Sequence, residues 1–111
     1  MPRSSKTRDV KRRVVFSPEA QADLFELYDY IADQSGPTRA IGYIKRIEKT
    51  CLALDFAGER GTKRDDLRPG LRIMGFERRV TIAFHVEPGT VTIDRILYGG
   101  RDLQRAFGKT K

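Results

Sequence analysis

The residues of this sequence best suited to recognising a charged partner are arginines in its C-terminal half. Two of them flank a Pro-Gly turn, one lies within an apolar run, and one follows a Gly-Gly pair and precedes an aspartate. Arginine presents five donors in a planar fork that matches carboxylates and phosphates. We therefore predict a target-binding set that consists of Arg68, Arg72, Arg95, Arg101 and Asp102.

Arg95 also has a structural interpretation. A charge among apolar neighbours is costly unless it is paired, so Arg95 needs a carboxylate. Asp94 is adjacent in sequence but points to the opposite face of a strand. The better candidates are Asp102, Asp65 and Asp66. We favour an ion pair that fixes the sheet or the terminal turn over direct contact with a target.

Other residue types argue against a catalytic or metal site. His85 is the only histidine, and its position opposite the apolar face of a predicted strand favours a structural or surface role over a general base. One histidine and one cysteine do not form a zinc spacing, and Cys51 falls on an apolar helical stripe that predicts a buried thiol. Asp65 and Asp66 lie in a predicted loop, 63–70, where flanking cations indicate a solvated mixed-charge segment. We predict no catalytic residue, no metal and no cofactor.

Two amphipathic helices position these residues. Ser17-Pro18-Glu19 combines a serine cap, proline at the first helical position and an acid in the first turn, which is typical of a helix start. The apolar face of this helix consists of Ala20, Leu24, Leu27, Tyr28 and Ile31. A Gly-Pro turn follows, and the second helix has an apolar face of Ala40, Ile44, Ile47, Cys51 and Leu54.

Strands account for most of the remaining chain. Period-two alternation over 79–86, a tight turn and the apolar run 91–98 predict a hairpin. The segments 13–16 and 71–76 also suit strands, the latter with Gly75 as a bulge or bend. The order β-α-α-β-β-β predicts an α+β fold with a helical hairpin on one face of a small, mostly antiparallel sheet of three or four strands. The other face is left partly open for the C-terminal segment or a partner.

Charge and length define the domain organisation. The chain has 111 residues and a net charge of +7, which suits a single globular domain. Residues 1–13 hold six cations and one aspartate, a net +5, which leaves +2 for the other 98 residues. We predict a basic, disordered tail over 1–13 and one domain over 14–111. We expect a cytoplasmic protein with no signal peptide, no membrane association and no sequence-specific nucleic-acid binding.

Several segments resemble a known family. The stretch Asp65–Arg72, DDLRPGLR, is similar to one in ParE-type toxins of the ParE/RelE superfamily. The hairpin of 80–86 and 91–98, closed by Gly-Arg-Asp, resembles the final strands of these toxins. The Ser-Pro-Glu-Ala start, with Asp23-Leu24 and the Tyr28/Ile31 spacing, resembles their first helix. The resemblance covers most of the chain and leaves out the basic extension.

This resemblance implies the toxin of a type II toxin–antitoxin system. Such a toxin would inhibit DNA gyrase by direct binding, without catalysis, and a cognate ParD-like antitoxin would neutralise it in a hetero-oligomer. Exposed aromatic residues often mark interfaces. We therefore assign the antitoxin surface to the first helix at Phe25, Tyr28 and Tyr30, with a wider core stripe as the alternative.

Two other functions stay open. One is a RelE-like, ribosome-dependent messenger RNA endoribonuclease. Phe107 lies near the place where such enzymes resemble one another in carrying a tyrosine or histidine, and phenylalanine can neither give nor take a proton, which weighs against cleavage. The other is a ParE-like chain that binds antitoxin and is no longer toxic.

Overall fold

A helical hairpin packs on one face of a five-stranded sheet in the part of the chain that the structure describes. The computed structural model describes residues 11–56, 59–99 and 103–107. In chain order the elements are β1 (Arg13–Phe16), α1 (Pro18–Ser35), α2 (Pro37–Leu52), a 3-10 turn (Ala53–Asp55), β2 (Thr62–Lys63), β3 (Arg72–Phe76), β4 (Val80–Glu87), β5 (Thr90–Tyr98) and α3 (Leu103–Phe107). The strand order is β1-β5-β4-β3-β2, and β1 alone pairs in parallel. The predicted α+β fold is confirmed.

Several details differ from the prediction. The sheet has five strands rather than three or four, because β2 pairs with β3. The strand β2 comprises Thr62 and Lys63, and Lys63 is the first residue of the predicted loop 63–70. Gly75 is not a bulge: it pairs regularly with Thr81. Arg13, assigned both to the tail and to the first predicted strand, is the first residue of β1 and pairs with Thr90, so the strand prediction over 13–16 is confirmed. These differences arise from backbone pairing, which side-chain periodicity does not report.

The irregularity in the sheet lies between β4 and β5. Ala83 pairs with Arg95, and the next residue, Phe84, pairs with Ile93. Asp94 is therefore an extra residue in β5, as in a β-bulge. After the bulge, the residues of β5 face the sides of the sheet opposite to those that regular alternation would give them. The bulge lies at Asp94 and Arg95, the charged residues of this strand.

Both long helices begin where the sequence predicts, and α1 also ends there. The Ser17 hydroxyl accepts a hydrogen bond from the Ala20 amide at 3.0 Å, which caps α1. Gly36, with a φ of 94°, separates α1 from α2. The second apolar stripe is buried, although its last residue, Leu54, lies in the 3-10 turn beyond α2. No helix in the described ranges is long and apolar enough to cross a membrane.

The core lies on both faces of the sheet. The larger cluster joins the helices to the inner face of β4 and β5 through Leu27, Ile47, Phe84 and Ile93. A smaller cluster on the other face is formed by Leu67, Leu71 and Ala83, with Leu103 and Phe107 of α3 packed against it. The C-terminal helix thus covers part of the face that the sequence leaves open.

Cys51 lies in the larger cluster with no exposed surface, which confirms the predicted buried thiol. Burial, with a smaller contribution from Glu48, raises the pKa of Cys51 from 9.0 to about 12. Because only the thiolate is nucleophilic, we expect no reaction of the folded protein with Ellman's reagent near pH 8. Stoichiometric reaction should follow in concentrated guanidinium. Rapid labelling without denaturant, at the rate of a free thiol, would contradict this assignment.

Candidate functional site

Arg95 and Asp23 form a two-pronged ion pair between β5 and α1. The guanidinium of Arg95 donates to the two carboxylate oxygens of Asp23 at 2.8 and 3.0 Å. Asp23 is buried, and its Oδ2 also accepts the amide hydrogen of Ile96 at 2.8 Å. The hydrogen bond to Asp23 raises the pKa of Arg95. The pair supports the structural interpretation of Arg95.

The predicted partners of Arg95 need correction. Asp65 accepts the Gly70 amide at 2.8 Å, and Asp66 is paired with Arg64 at 2.9 Å, which lowers the pKa of the Asp66 carboxyl. The third candidate, Asp102, lies outside the described residues. Asp23 was not predicted as the partner of Arg95, because only apolar residues defined the buried stripe of α1. A carboxylate at position 23, between Ala20 and Leu27 on the buried face, was the available signal.

Ser17, between the end of β1 and the start of α1, supplies hydrogen-bond donors to the edge of β5 that β1 leaves unpaired. Because β1 ends at Phe16, it pairs with β5 only as far as Ile93. The Ser17 amide donates to the Ile93 carbonyl at 2.9 Å, and its hydroxyl donates to the Asp94 carbonyl at 2.9 Å. These bonds, with the one from Ile96 to Asp23, hold the bulged backbone against α1.

Asp94 belongs to a second polar cluster, on the sheet face opposite the helical hairpin. His85 Nδ1 lies 2.7 Å from Asp94 Oδ2, and its Nε2 lies 3.6 Å from Glu87. Asp94 is buried, and Arg68 approaches its other oxygen at 3.7 Å. We call His85, Asp94, Arg68 and Glu87 the His85 cluster. A carboxylate that accepts from Nδ1 fixes the orientation of an imidazole, which suits either a structural role or proton transfer.

Arg68 connects this cluster to α3. Its guanidinium lies 4.8 Å from the centre of the Phe107 ring, within the range of a cation–π contact. Arg72, by contrast, donates to the carbonyls of Glu59 and Arg60 at 2.9 and 3.1 Å and so holds the segment before β2.

The predicted target-binding residues are therefore distributed rather than clustered. Arg68 is on the face opposite the hairpin, Arg95 is bound to α1, and Arg72 holds a loop. Arg101 and Asp102 lie outside the described residues. In the described ranges, no group of three or more histidine, cysteine, aspartate or glutamate residues could hold a metal ion.

The helical hairpin carries an open apolar groove of about 520 Å³. Phe25, 74% exposed, and Ile41, 45% exposed, stand at this groove. Its remaining lining residues are Phe16, Gln21, Leu24, Tyr28, Ile44 and Glu48. We call this surface the hairpin groove. Large apolar side chains left exposed beside each other are typical of a protein interface.

The structure divides the three predicted antitoxin-binding residues. Phe25 and Tyr28 line the hairpin groove, whereas Tyr30 contacts Tyr98 at a ring separation of 5.6 Å in a different cleft. Ile41 was not predicted to lie at this surface, although it lies next to the stripe residue Ala40 as Phe25 lies next to Leu24. An apolar residue adjacent to each helical stripe was the available signal.

Comparison with known proteins relates the chain to toxins. A family model described as ParE toxin of type II toxin-antitoxin system, parDE, matches residues 14–103. Toxin ParE1 from two Mycobacterium tuberculosis strains, CDC 1551 / Oshkosh and ATCC 25618 / H37Rv, is 29% identical over 96 residues, covering 84% of this chain and 95% of the relative. A solved structure titled Chromosomal ParDE TA system from P. aeruginosa superposes with a TM-score of 0.71 and 26% identity, covering 80% of this chain and 97% of that chain.

Proposed function

Because the chain belongs to the ParE toxin family of type II toxin–antitoxin systems, we propose that it inhibits DNA gyrase by direct binding and is neutralised by a ParD-like antitoxin. The inhibition is a binding event without covalent chemistry, and it takes place in the cytoplasm. Support for an antitoxin comes from the ParDE title of the structural relative. The gyrase target rests on the family resemblance.

The observation that carries the antitoxin half of this proposal is the hairpin groove. Its lining is mainly apolar, and Phe25 stands in it with three quarters of its surface exposed. An amphipathic helix binds such a groove by inserting apolar side chains at helical spacing. Burial of Phe25 and Ile41 beneath such a helix would remove from water the two large apolar residues that α1 and α2 leave exposed there.

The target-binding surface is proposed on the face opposite the hairpin. Arg68 is half exposed there, beside α3, and the chain continues to Arg101 and Asp102 after β5. Arg95 and Arg72 act in this proposal as positioning residues, because their guanidinium groups are bound to Asp23 and to backbone carbonyls. An antitoxin confined to the hairpin groove would leave the opposite sheet face exposed, whereas one that extends around the sheet would cover it.

The test is the supercoiling of relaxed plasmid by purified gyrase with increasing amounts of the full chain. We expect loss of supercoiled product or accumulation of cleaved DNA, and recovery when the antitoxin is added. Arg68→Ala should weaken the inhibition, whereas Lys45→Ala, a change of an exposed cation on α2, should not. A folded sample that binds the antitoxin but leaves gyrase unaffected would refute gyrase inhibition and favour a non-toxic antitoxin-binding protein.

The ribonuclease alternative retains one supporting observation, the oriented His85 of the His85 cluster. Its carboxylate partner at 2.7 Å is the arrangement expected of a general base. Phe107 lies against Arg68 and supplies no proton. Cleavage of ribosome-bound messenger RNA that is lost in His85→Gln would establish this alternative in place of gyrase inhibition.

A further inference from the structure

A second cleft lies between the end of the helical hairpin and the turn that joins β3 to β4. It measures about 600 Å³. Its lining includes three of the four tyrosines of the chain and three arginines: Tyr30, Tyr43, Tyr98, Arg39, Arg46 and Arg79. We call it the tyrosine–arginine cleft. It shares no lining residue with the hairpin groove.

The tyrosines form an aromatic wall in which the Tyr98 ring meets that of Tyr30 at 55° and that of Tyr43 at 87°. The Tyr98 ring lies 5.6 Å from that of Tyr30 and 6.4 Å from that of Tyr43. Tyr30 is 51% exposed, so part of its ring is open to a ligand. Burial raises the pKa of Tyr43, with a smaller contribution from Glu77.

The lining of the cleft holds three arginines and one carboxylate, that of Glu77. Arg46 donates to both carboxylate oxygens of Glu77 at 3.0 and 3.1 Å, and its guanidinium lies 5.1 Å from the centre of the Tyr43 ring. Arg39 and Arg79 have no carboxylate within ion-pair distance among the residues that the structure describes. Within the described part of the chain, these two guanidinium groups are therefore open to an anion.

Backbone geometry adds to the positive character of the cleft. The helix α2 starts here, and Gly36 provides no side-chain cap for its first amides, which include those of Thr38 and Arg39. Free amides and the helix dipole favour an anion at this position. The opposing turn has positive φ at both central residues, Glu77 at 49° and Arg78 at 68°. Positive φ at both central residues is the geometry of a tight hairpin turn between antiparallel strands.

We propose that the tyrosine–arginine cleft binds a nucleotide, with the base stacked on the tyrosine wall and the 5′-phosphate held by Arg39, Arg79 and the start of α2. Aromatic rings stack on any nucleobase, and guanidinium groups bind phosphate. An acidic peptide would engage the arginines and leave the three rings without a role. The site takes either a free nucleotide or the end of a single strand, since both present the same chemistry. It does not depend on gyrase as the target.

The experiment titrates the full chain with thymidine 5′-monophosphate and with a 5′-phosphorylated tetrathymidylate. Calorimetry measures the affinity, and NMR signals of the tyrosine rings locate the site. We expect shifts of the Tyr30, Tyr43 and Tyr98 signals and little change at Tyr28. Comparable affinities would identify a free-nucleotide site, whereas much tighter binding of the tetranucleotide would identify a strand end.

Three variants make this result specific. Tyr30→Ala and Arg79→Ala, both at exposed positions, should each weaken binding roughly tenfold. The matched control is Lys45→Ala, which removes an exposed cation of α2 outside the cleft and should have little effect. Arg79→Ala keeps the test valid if Tyr30→Ala does not fold.

Four outcomes would overturn the proposal. They are the absence of nucleotide binding by folded protein, equal losses in Arg79→Ala and Lys45→Ala, and inorganic phosphate binding as tightly as the nucleotide. The fourth is displacement of the nucleotide from the tyrosines by a glutamate-rich peptide of higher affinity, which would make the cleft a peptide site.

Discussion

Asp23→Ala is expected to lower the free energy of unfolding by about 3 kcal/mol, because breaking a buried ion pair by removing one partner typically costs 3–5 kcal/mol. The substitution leaves the Arg95 guanidinium, with one quarter of its side chain exposed, without its carboxylate. It also leaves the Ile96 amide without an acceptor. Urea unfolding followed by circular dichroism would measure the change.

Two further variants test the origin of this loss: one separates charge from hydrogen bonding, and the other is a control on the same helix. Asp23→Asn keeps an acceptor for the Ile96 amide and should lose less stability than Asp23→Ala. Asp29→Ala removes an exposed carboxylate from the same helix and should change the free energy of unfolding by no more than about 0.5 kcal/mol. Equal effects at positions 23 and 29 would show that the ion pair contributes little to the fold.

Phe25→Glu is expected to weaken antitoxin binding by a factor on the order of 100, since buried aromatic anchors dominate interface energies. The substitution places a carboxylate in the apolar hairpin groove, where the bound antitoxin would have to desolvate it. Phe25 is 74% exposed in the free protein, so the free energy of unfolding should hardly change. Calorimetry with the purified antitoxin measures the affinity.

The matched control is Leu52→Glu, which alters another exposed apolar residue, 51% exposed, that does not line the groove. It should bind the antitoxin as the unchanged chain does. Phe25→Glu should also inhibit gyrase as before and resist neutralisation. If both variants bind the antitoxin with unchanged affinity, the hairpin groove is not its binding surface.

Local sequence patterns were sufficient to predict the two long helices and the hairpin of β4 and β5. The Ser17 cap, the Gly36 break and the period-two alternation of β4 each depend on interactions within a few residues, so they can be predicted without the fold. The short strand β2 could not be predicted, because its two residues acquire strand geometry only by pairing with β3.

The candidate surfaces were predicted in part. Phe25 and Tyr28 line one groove, but Tyr30 lies in another cleft, because two residues along a helix rotate a side chain by more than half a turn. The tyrosine–arginine cleft joins residues from both helices, one turn and the end of β5. Those elements are far apart in sequence, so no local pattern reports their meeting.

The sequence by itself determined the family, the α+β fold, the starts of both long helices and the burial of Cys51, since each follows from local spacing or from motifs in a fixed order. Only the tertiary structure decided which charges meet. Asp94 and Arg95 are neighbours in the chain, yet the first contacts His85 and the second contacts Asp23. The bulge in β5 and the packing of α1 against its edge direct them to different partners. The bulge depends on the register between β4 and β5, and the packing of α1 joins residues more than 70 positions apart.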